Sequence, residues 1–481
     1  MDANRYPGPN EEVLEAQARV CTGPHQSRPL GHKAGDPRPE RILELILQSA
    51  REELPCEQRV SAAQMGAFFA AMTLRQNFAQ KTSWSTAERQ AFERYGAELE
   101  QCLPADVLFL LHPERGYRAK DPQEELVAAA LKKILRGKHL SYQETRQSLE
   151  AILDGQIGDA FQAAVLIGQR MNLEDYDELR GYLDAVSGPE HIPMVAVDSL
   201  THFGEPYDGS TRYFRPTLFV AALRAALGRA SVLHGVDAMP PKKGVTEEQV
   251  LHALGARTDL SRPQAAALIQ DPQVGFAYLS QRVYAPGAHR IRPLRLHIKK
   301  RPPWATTEKA QQLFCCPGTN CMVVGFFHSG YEEPLLQLMW ERGFQSGLVI
   351  KGEEGSSHYS LRLGQPSTTS RKAINYSCGF RRVDGKRKDF ETDVDPRKFG
   401  FEYDQSPRLA PVSARAFARA GLEALAGERG HVYDRIVLNA AMTDYWLGLC
   451  ADPHQALDEA RETMDSGRAG AHLQAYIARS K

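Results

Sequence analysis

Residues 192–255 read IPMVAVDSLTHFGEPYDGSTRYFRPTLFVAALRAALGRASVLHGVDAMPPKKGVTEEQVLHALG. Met194 to Val197 is a short apolar run of strand length. After a loop rich in Gly and polar residues, the apolar spacing turns helical from Leu218 to Leu227. That is a βα unit. A second run, Ala230 to Leu233, ends in His234-Gly235 and is followed by the loop Pro240-Pro241-Lys242-Lys243-Gly244. The next helix starts at Thr246, with Gln249 placed for a capping box. Two successive strand-to-helix turns therefore present backbone N–H groups, helix N-termini and two lysines on one edge of a sheet, an arrangement that suits an anion. Ordinary connecting loops use Gly and Pro in the same way, for geometry alone.

Working outward, 481 residues exceed one ordinary core and imply a multidomain chain. Lys+Arg and Asp+Glu both number 59, so overall charge points to no partner and any such argument must be local. A mean hydropathy of −0.43 fits a globular protein, and no apolar run approaches the roughly 18 residues a membrane span needs. The first twenty residues lack the basic and apolar regions of a secretory signal, so the expected location is the cytoplasm. Cys315, Cys316 and Cys321 cluster, but no second ligand pair accompanies them, and the run Cys321 to Phe327 reads as a buried strand. Reduced, buried thiols are expected.

Up to Pro39 the chain is rich in Gly and Pro, with little periodicity outside Glu11 to Val20, and reads as a flexible arm. Residues 40–120 carry helical signals: an apolar stripe from Ile42 to Leu47, a helix opened by Ser61, and segments at Trp84 to Leu99 and Asp106 to Leu111. In residues 121–190, Gly137 stops one helix, Ser141 and Glu144 form a capping box for the next, Gly155 ends it and Asp159 starts a third. Ser61 to Arg75 resembles Gly158 to Met171 in pattern. Small residues Ala160, Ala163, Ala164 and Gly168 permit close helix approach, either inside the domain or across a symmetric dimer.

Beyond the central units lie two basic stretches. The first, His289 to Trp304, includes Arg290, Arg292, Arg295, Lys299, Lys300 and Arg301. The second, Arg371 to Lys388, includes Arg381, Arg382, Lys386, Arg387 and Lys388. Interleaved with aromatics, they suit nucleic acid, a phosphorylated small molecule or a plain solvated face. Met322 to Phe327 and Gly347 to Ile350 read as central strands. The second runs into Lys351-Gly352-Glu353-Glu354-Gly355, where the paired carboxylates suit Mg²⁺ or ribose hydroxyls, or simply a polar turn. Helices follow at Ala414 to Leu425, Val437 to Leu449 and Pro453 to Asp465; Asn439, inside the second, is expected to hydrogen-bond to a neighbouring loop.

From Leu126 to Arg479 the chain resembles anthranilate phosphoribosyltransferase, of glycosyltransferase family 3 and the nucleoside phosphorylase type of fold. The resemblance is carried by GKHLSYQETRQSLEAILDGQIGDAFQAAVLIGQRM (Gly137 to Met171), His234-Gly235, LGARTDLS (Leu254 to Ser261), DVDPRKFGF (Asp393 to Phe401), YDRIVLNAA (Tyr433 to Ala441) and ARETMDSGRAG (Ala460 to Gly470). It implies an α/β domain at residues 191–481 with a mixed sheet flanked by helices, a separate all-α N-terminal part, and the family's helical domain at 121–190. It further implies a homodimer, Mg²⁺ if the protein is active, and transfer of phosphoribose from 5-phosphoribosyl 1-pyrophosphate to an aromatic amine. Gly204, Gly209, Ser210, His234, Gly235, Lys242 or Lys243, Arg301 and Asn439 would then face phosphate or substrate.

The departures from the family pattern are equally specific. HFGEP at His202 to Pro206 stands where the family has GTGGD, Phe214-Arg215-Pro216-Thr217 stands for Asn-x-Ser-Thr, and Val236 stands for an Asn. Ser357-His358 stands at the Mg²⁺-binding Asp-Glu pair, leaving Glu353 and Glu354 as the only substitutes nearby. The His-Gly-Val and Gly-x-Glu-Gly turns resemble a branch that lacks the transferase activity and binds nucleic acid without sequence preference. The expectation is a divergent relative outside tryptophan biosynthesis, with a sequence-independent nucleic-acid binder and a true transferase as the alternatives.

Overall fold

The computed structural model describes residues 8–362 and 373–481, so Arg371 of the second basic stretch lies outside the described residues. The chain divides into two compact units, Met1–Val186 with Arg290–Ala305, and Ser187–His289 with Thr306–Lys481.

Unit 1 is helical: α1 (Glu11–Val20), α2 (Pro39–Ala50), α3 (Ala62–Arg75), α4 (Thr86–Cys102), α5 (Ala105–Leu111), α6 (Pro122–Ile134), α7 (Tyr142–Asp154), α8 (Asp159–Asn172) and α9 (Tyr176–Val186). Reciprocal capping boxes open α3 at Ser61 with Gln64, α4 at Ser85 with Glu88, and α7 at Ser141 with Glu144, satisfying backbone donors that helix starts leave unpaired. Gly155 closes α7 in the left-handed conformation. The centre of the unit is α3 against α8. A Cβ on Gly66 would lie 2.1 Å from the carbonyl oxygen of Ala160, and one on Gly168 would lie 2.4 Å from Ile134 of α6. The small-residue face of α8, open in the sequence reading to a symmetric dimer, is thus filled by α3 and α6 of the same chain. The arm differs from expectation too. Asn10 caps α1, and Gln17 Nε2 donates to the Gln64 carbonyl at 3.1 Å, so Val13, Leu14 and Val20 are buried.

Unit 2 runs β1 (Ser199–Gly204), α10 (Thr217–Ala226), β2 (Ala230–Gly235), α11 (Glu247–Ala253), α12 (Arg262–Gln270), β3 (Phe276–Ser280) and α13 (Gln281–Tyr284). The chain passes through α14 (Pro286–Arg290) and α15 (Trp304–Thr307), then returns as β4 (Thr319–Gly325), α16 (Glu332–Glu341), β5 (Ser346–Ile350), β6 (Tyr376–Val383), β7 (Lys386–Asp393), α17 (Ala414–Leu425), α18 (His431–Leu447), α19 (Pro453–Asp465) and α20 (Arg468–Arg479). The sheet order is β3-β2-β1-β4-β5-β6-β7, parallel through β5 and antiparallel at β6 and β7.

The first strand is not the apolar run Met194 to Val197. Met194 makes only an isolated bridge to Cys315 and is 67% exposed, whereas β1 begins at Ser199 and buries Thr201 and His202. Those polar groups are tolerated because distant partners satisfy them. Arg224 donates to Thr201 Oγ1 at 2.8 Å, and the backbone of Leu313 donates to His202 Nε2 at 3.3 Å. Arg224 also pairs with Asp444 of α18 at 2.8 Å, both side chains wholly buried, which ties α10 to β1 and α18. The second basic stretch forms a hairpin: Val383 pairs with Lys386 around Asp384-Gly385, both at positive φ, the conformation a two-residue hairpin turn of this kind requires. All eight cysteines are free thiols, and Cys316 and Cys321 are buried.

Candidate functional site

The C-terminal ends of β1 and β5 and the loops after β1 and β2 converge on a polar cluster in unit 2. Two loops are first zipped together. Ser210 N donates to Val245 O at 2.9 Å, Val245 N to Ser210 O at 2.8 Å, and Gly244 N to Asp208 O at 2.8 Å. The approach demands glycine on both sides, since a Cβ on Gly209 would lie 2.4 Å from Gly244 and one on Gly244 would lie 2.7 Å from Gly209. The result is a turn whose N–H groups face one point.

That point is occupied by the carboxylate of Glu354. It accepts from Ser210 Oγ at 2.6 Å, Thr211 N at 3.1 Å, Thr211 Oγ1 at 2.9 Å, Arg212 N at 3.1 Å and Tyr213 N at 3.3 Å. Lys242 Nζ lies 2.8 Å from the same group. Burial opposes its ionisation, but Lys242 and Ser210 outweigh it and hold the carboxyl well below the usual range. Glu354 itself sits at φ +57, a left-handed conformation a glutamate adopts only at a cost of order 1 kcal/mol.

The neighbouring carboxylates are committed elsewhere. Glu353 pairs with the buried Arg435 at 2.7 Å and accepts from Ser360 at 2.9 Å. Glu205 accepts from Thr217 Oγ1 at 2.8 Å, from Ser357 N at 3.2 Å and from the Ser357 hydroxyl, and pairs with His358 Nδ1 at 3.3 Å. Arg215 reaches Glu205 at 3.9 Å and Glu247 at 3.7 Å. Burial disfavours charge on Glu205, yet His358, Arg215 and Ser357 together keep it ionised. Burial pushes Glu247 up to about 7 against the opposing pull of Arg215. Glu353 and Glu354 are thus each engaged by a different cation, Arg435 and Lys242. The Ser357 hydroxyl and His358 Nδ1 are both turned to Glu205.

The structure sorts the residues singled out from sequence. Gly209, Ser210, Lys242 and Glu354 meet in the cradle. Gly204 is packed under the Lys309 carbonyl, 2.0 Å from where its Cβ would be, and serves strand packing. His234 is buried and hydrogen-bonds to Tyr207 Oη at 2.5 Å, which in turn reaches Tyr284 Oη at 2.5 Å; Gly235 ends β2 beside Tyr278. Lys243 is exposed at φ +50. Asn439 accepts from Tyr359 N at 2.6 Å and donates to Tyr359 O at 3.0 Å, pinning the loop after β5 as expected of a helix Asn. Gln249 reaches back to the Asp237 carbonyl at 2.6 Å rather than to Thr246, so only half of the expected capping box forms. Thr211, Glu205 and Arg215 escaped the sequence reading as site residues, although Glu205 follows Gly204 in the loop quoted above.

The basic residues fall in both units. Arg301, with Arg290, Arg292, Arg295, Lys299 and Lys300, lies in the segment that folds with unit 1, where Arg290 donates to the Leu153 carbonyl. The hairpin group lies in unit 2 and is largely engaged. Arg381 donates to the Trp446 and Tyr445 carbonyls at 2.9 and 2.5 Å, Arg382 stacks 3.5 Å over Trp340, and Arg387 pairs with Glu333 at 2.9 Å. Lys386 and Lys388 are exposed, with no ion pair among the described residues.

Comparison with known proteins agrees with this architecture. Residues 128–187 match the glycosyl transferase family, helical bundle domain. The chain is 27% identical over 357 residues to anthranilate phosphoribosyltransferase of Rubrobacter xylanophilus, covering 73% of this chain and 97% of that one. It is 28% identical to the Pelotomaculum thermopropionicum protein of the same name, covering 73% and 96%. The solved anthranilate phosphoribosyltransferase of Thermus thermophilus shares the fold at a TM-score of 0.58 and 21% identity, over 73% of this chain and 99% of that one. The Saccharomyces cerevisiae enzyme, solved in complex with PRPP and Mg, does so at 0.60 and 15%, over 74% and 98%. No helix among the described residues is long and apolar enough to cross a membrane. With its mixed sheet and helical bundle, the chain is an anthranilate phosphoribosyltransferase-like protein.

Proposed function

We propose that this chain is a divergent member of its group that does not transfer phosphoribose to anthranilate, and so acts outside tryptophan synthesis. The observation that carries this reading is the closed network on Glu205. At the positions where the resemblance places a magnesium-binding Asp-Glu pair stand Ser357 and His358, both turned to Glu205 within unit 2. Displacing pyrophosphate from ribose C1 develops positive charge on the sugar and negative charge on the leaving group, so the protein's task is to position reactants and neutralise phosphate. A hydroxyl and a buried imidazole that share one carboxylate supply no charge of the required kind. Glu205 itself lies beside Arg215, and the candidate substitute acids Glu353 and Glu354 are paired with Arg435 and Lys242.

The test is anthranilate-dependent consumption of 5-phosphoribosyl 1-pyrophosphate by the full-length protein with Mg²⁺. Consumption at background is expected. Turnover of about 1 s⁻¹ or faster, the ordinary range for enzymes, would overturn the reading and restore phosphoribosyl transfer to an aromatic amine.

A further inference from the structure

Two helices of unit 1 open on the same arrangement around a buried glutamate. At the start of α4, Glu88 accepts from the backbone of its own cap, Ser85, at 2.6 Å and from Leu30 N at 3.0 Å. At the start of α9, Glu178 accepts from Asp175 N at 3.0 Å and from Leu140 N at 3.1 Å. Both glutamate side chains are wholly buried. A buried carboxylate calls for a cation, and α4 has one built in, since Arg75 donates to both oxygens of Glu88 at 2.7 and 3.0 Å. Where α4 has that guanidinium, α9 has a neutral amide and an imidazole. Gln169 Nε2 donates to Glu178 Oε1 at 3.1 Å, and His139 Nδ1 lies 2.8 Å from Glu178 Oε2.

We infer that His139, Asp175 and Glu178 bind a divalent transition-metal cation of the zinc class, which supplies at α9 the charge that Arg75 supplies at α4. Among the described residues this is the one group of three His, Cys, Asp or Glu side chains whose ligand atoms converge, all within 4.8 Å of one another. Bonds of about 2.0–2.1 Å at tetrahedral angles set ligand atoms roughly 3.3 Å apart. His139 Nδ1 stands 2.8 Å from Glu178 Oε2 and 3.9 Å from Asp175 Oδ2, so shifts of about half an ångström in two partly exposed side chains admit the ion. The supporting contacts are in place. Leu140 N and Gln169 hold Glu178 at Oε1, and Tyr182 Oη orients Gln169 by donating to its Oε1 at 2.8 Å. Asp175 spends Oδ1 on capping Glu178 N at 3.0 Å, which leaves Oδ2 turned to His139. Hydrogen bonds behind the ligands are what fixes a metal site's geometry. An imidazole with two carboxylates suits Zn²⁺, whereas Mg²⁺ and Ca²⁺ prefer oxygen alone. The first turn of α9 opposes a cation, but two carboxylates outweigh its half charge. Coordination takes Nδ1 without its hydrogen, which moves to Nε2 or to solvent. His139 and Asp175 are exposed enough to leave the fourth position to water.

This site lies wholly in unit 1 and is independent of the transfer reading. ZnCl₂ and MgCl₂ are titrated calorimetrically into the reduced full-length wild type, His139→Gln and Asp175→Asn, and CoCl₂ reports tetrahedral coordination by its visible absorption. Asparagine still caps a helix, so α9 keeps its start in the second variant. Exposed thiols such as Cys56 add background sites that neither variant alters. The expected result is one equivalent of Zn²⁺ whose affinity falls at least tenfold in each variant, with the tetrahedral Co²⁺ bands lost in parallel and no competition from Mg²⁺. The inference is overturned if wild type binds no Zn²⁺ at up to about 0.1 mM, if Mg²⁺ displaces it, or if either folded variant binds as tightly as wild type. Wild-type transferase activity would sink the earlier reading without touching this one.

Discussion

Gly66 of α3 lies so close to Ala160 of α8 that a Cβ at Gly66 would sit 2.1 Å from the Ala160 carbonyl oxygen. Helix propensity alone favours Ala over Gly by about 1 kcal/mol, whereas overpacking a tight contact costs about 1–3 kcal/mol, and a backbone oxygen cannot swing aside as a side chain can. Gly66→Ala is therefore expected to destabilise the protein by about 2 kcal/mol, contrary to propensity. Because α3 and α8 meet within one chain, the loss should be the same at every protein concentration. A melting temperature of the variant that rises with concentration would instead place this face between two copies.

Much of unit 1 was legible because its helices announce themselves locally. A serine three residues ahead of Glu or Gln marks the starts of α3 and α7, and Gly155 marks the end of α7, each effect spanning one turn of chain. The ends of α17 and α19 fall where the pattern puts them. The polar site was not legible, because its meaning lies in partners far apart in sequence. Glu354 reads as a turn residue until Ser210 and Thr211 are brought to it. In β1, Thr201 and His202 look unlike a buried strand until Arg224 and Leu313 are seen to satisfy them. The β6–β7 hairpin does carry a signal, Asp384-Gly385 between alternating residues, but its density of charge suits a partner as readily as it suits strand pairing.

The buried ion pair of Arg224 with Asp444 carries an ordering of effects. Asp444 also accepts from Arg229 at 2.7 Å, so removing the acid leaves two guanidinium groups without their shared anion, while removing Arg224 leaves Asp444 still paired. Breaking a buried pair costs about 3–5 kcal/mol. Asp444→Asn is expected to lower the urea midpoint more than Arg224→Met does. The reverse order would show that Arg229 does not support Asp444 in solution.

Acid should unfold this protein through its histidines. Burial pushes His202 and His234 down to about 3 from an ordinary 6.5, so below pH 6.5 the unfolded chain binds protons that the native state refuses, and stability falls as pH falls. At pH 5 each costs about 2 kcal/mol relative to neutral pH. Glu247, raised by burial to about 7, acts in the opposite direction, since its native carboxyl keeps a proton between pH 4.5 and 7 that the unfolded chain releases. Two histidines against one glutamate leave a net loss of about 2 kcal/mol between pH 6.5 and 5. Urea unfolding across that range checks it, and His234→Gln should flatten the slope by about one proton. A stability that rises toward pH 5 would contradict the buried, neutral state of both rings.

If the β6–β7 hairpin holds nucleic acid, few of its charges remain to do so. Arg381 is spent on the last carbonyls of α18, Arg382 on the Trp340 face and Arg387 on Glu333 and Asp389, which leaves Lys386 and Lys388 projecting from β7. Each phosphate neutralised contributes roughly −0.9 to the slope of log affinity against log salt, so the hairpin's share is about −1.8 at most. Titrating labelled duplex at two salt concentrations, the Lys386→Ala, Lys388→Ala double variant is expected to remove that share and leave the melting temperature unchanged. Arg382→Ala and Arg387→Ala should act the other way, lowering the melting temperature by loosening the hairpin from α16 with little effect on the slope. A hairpin contribution much steeper than −2, lost on replacing Arg382 or Arg387, would mean that these arginines leave Trp340 and Glu333 to contact phosphate.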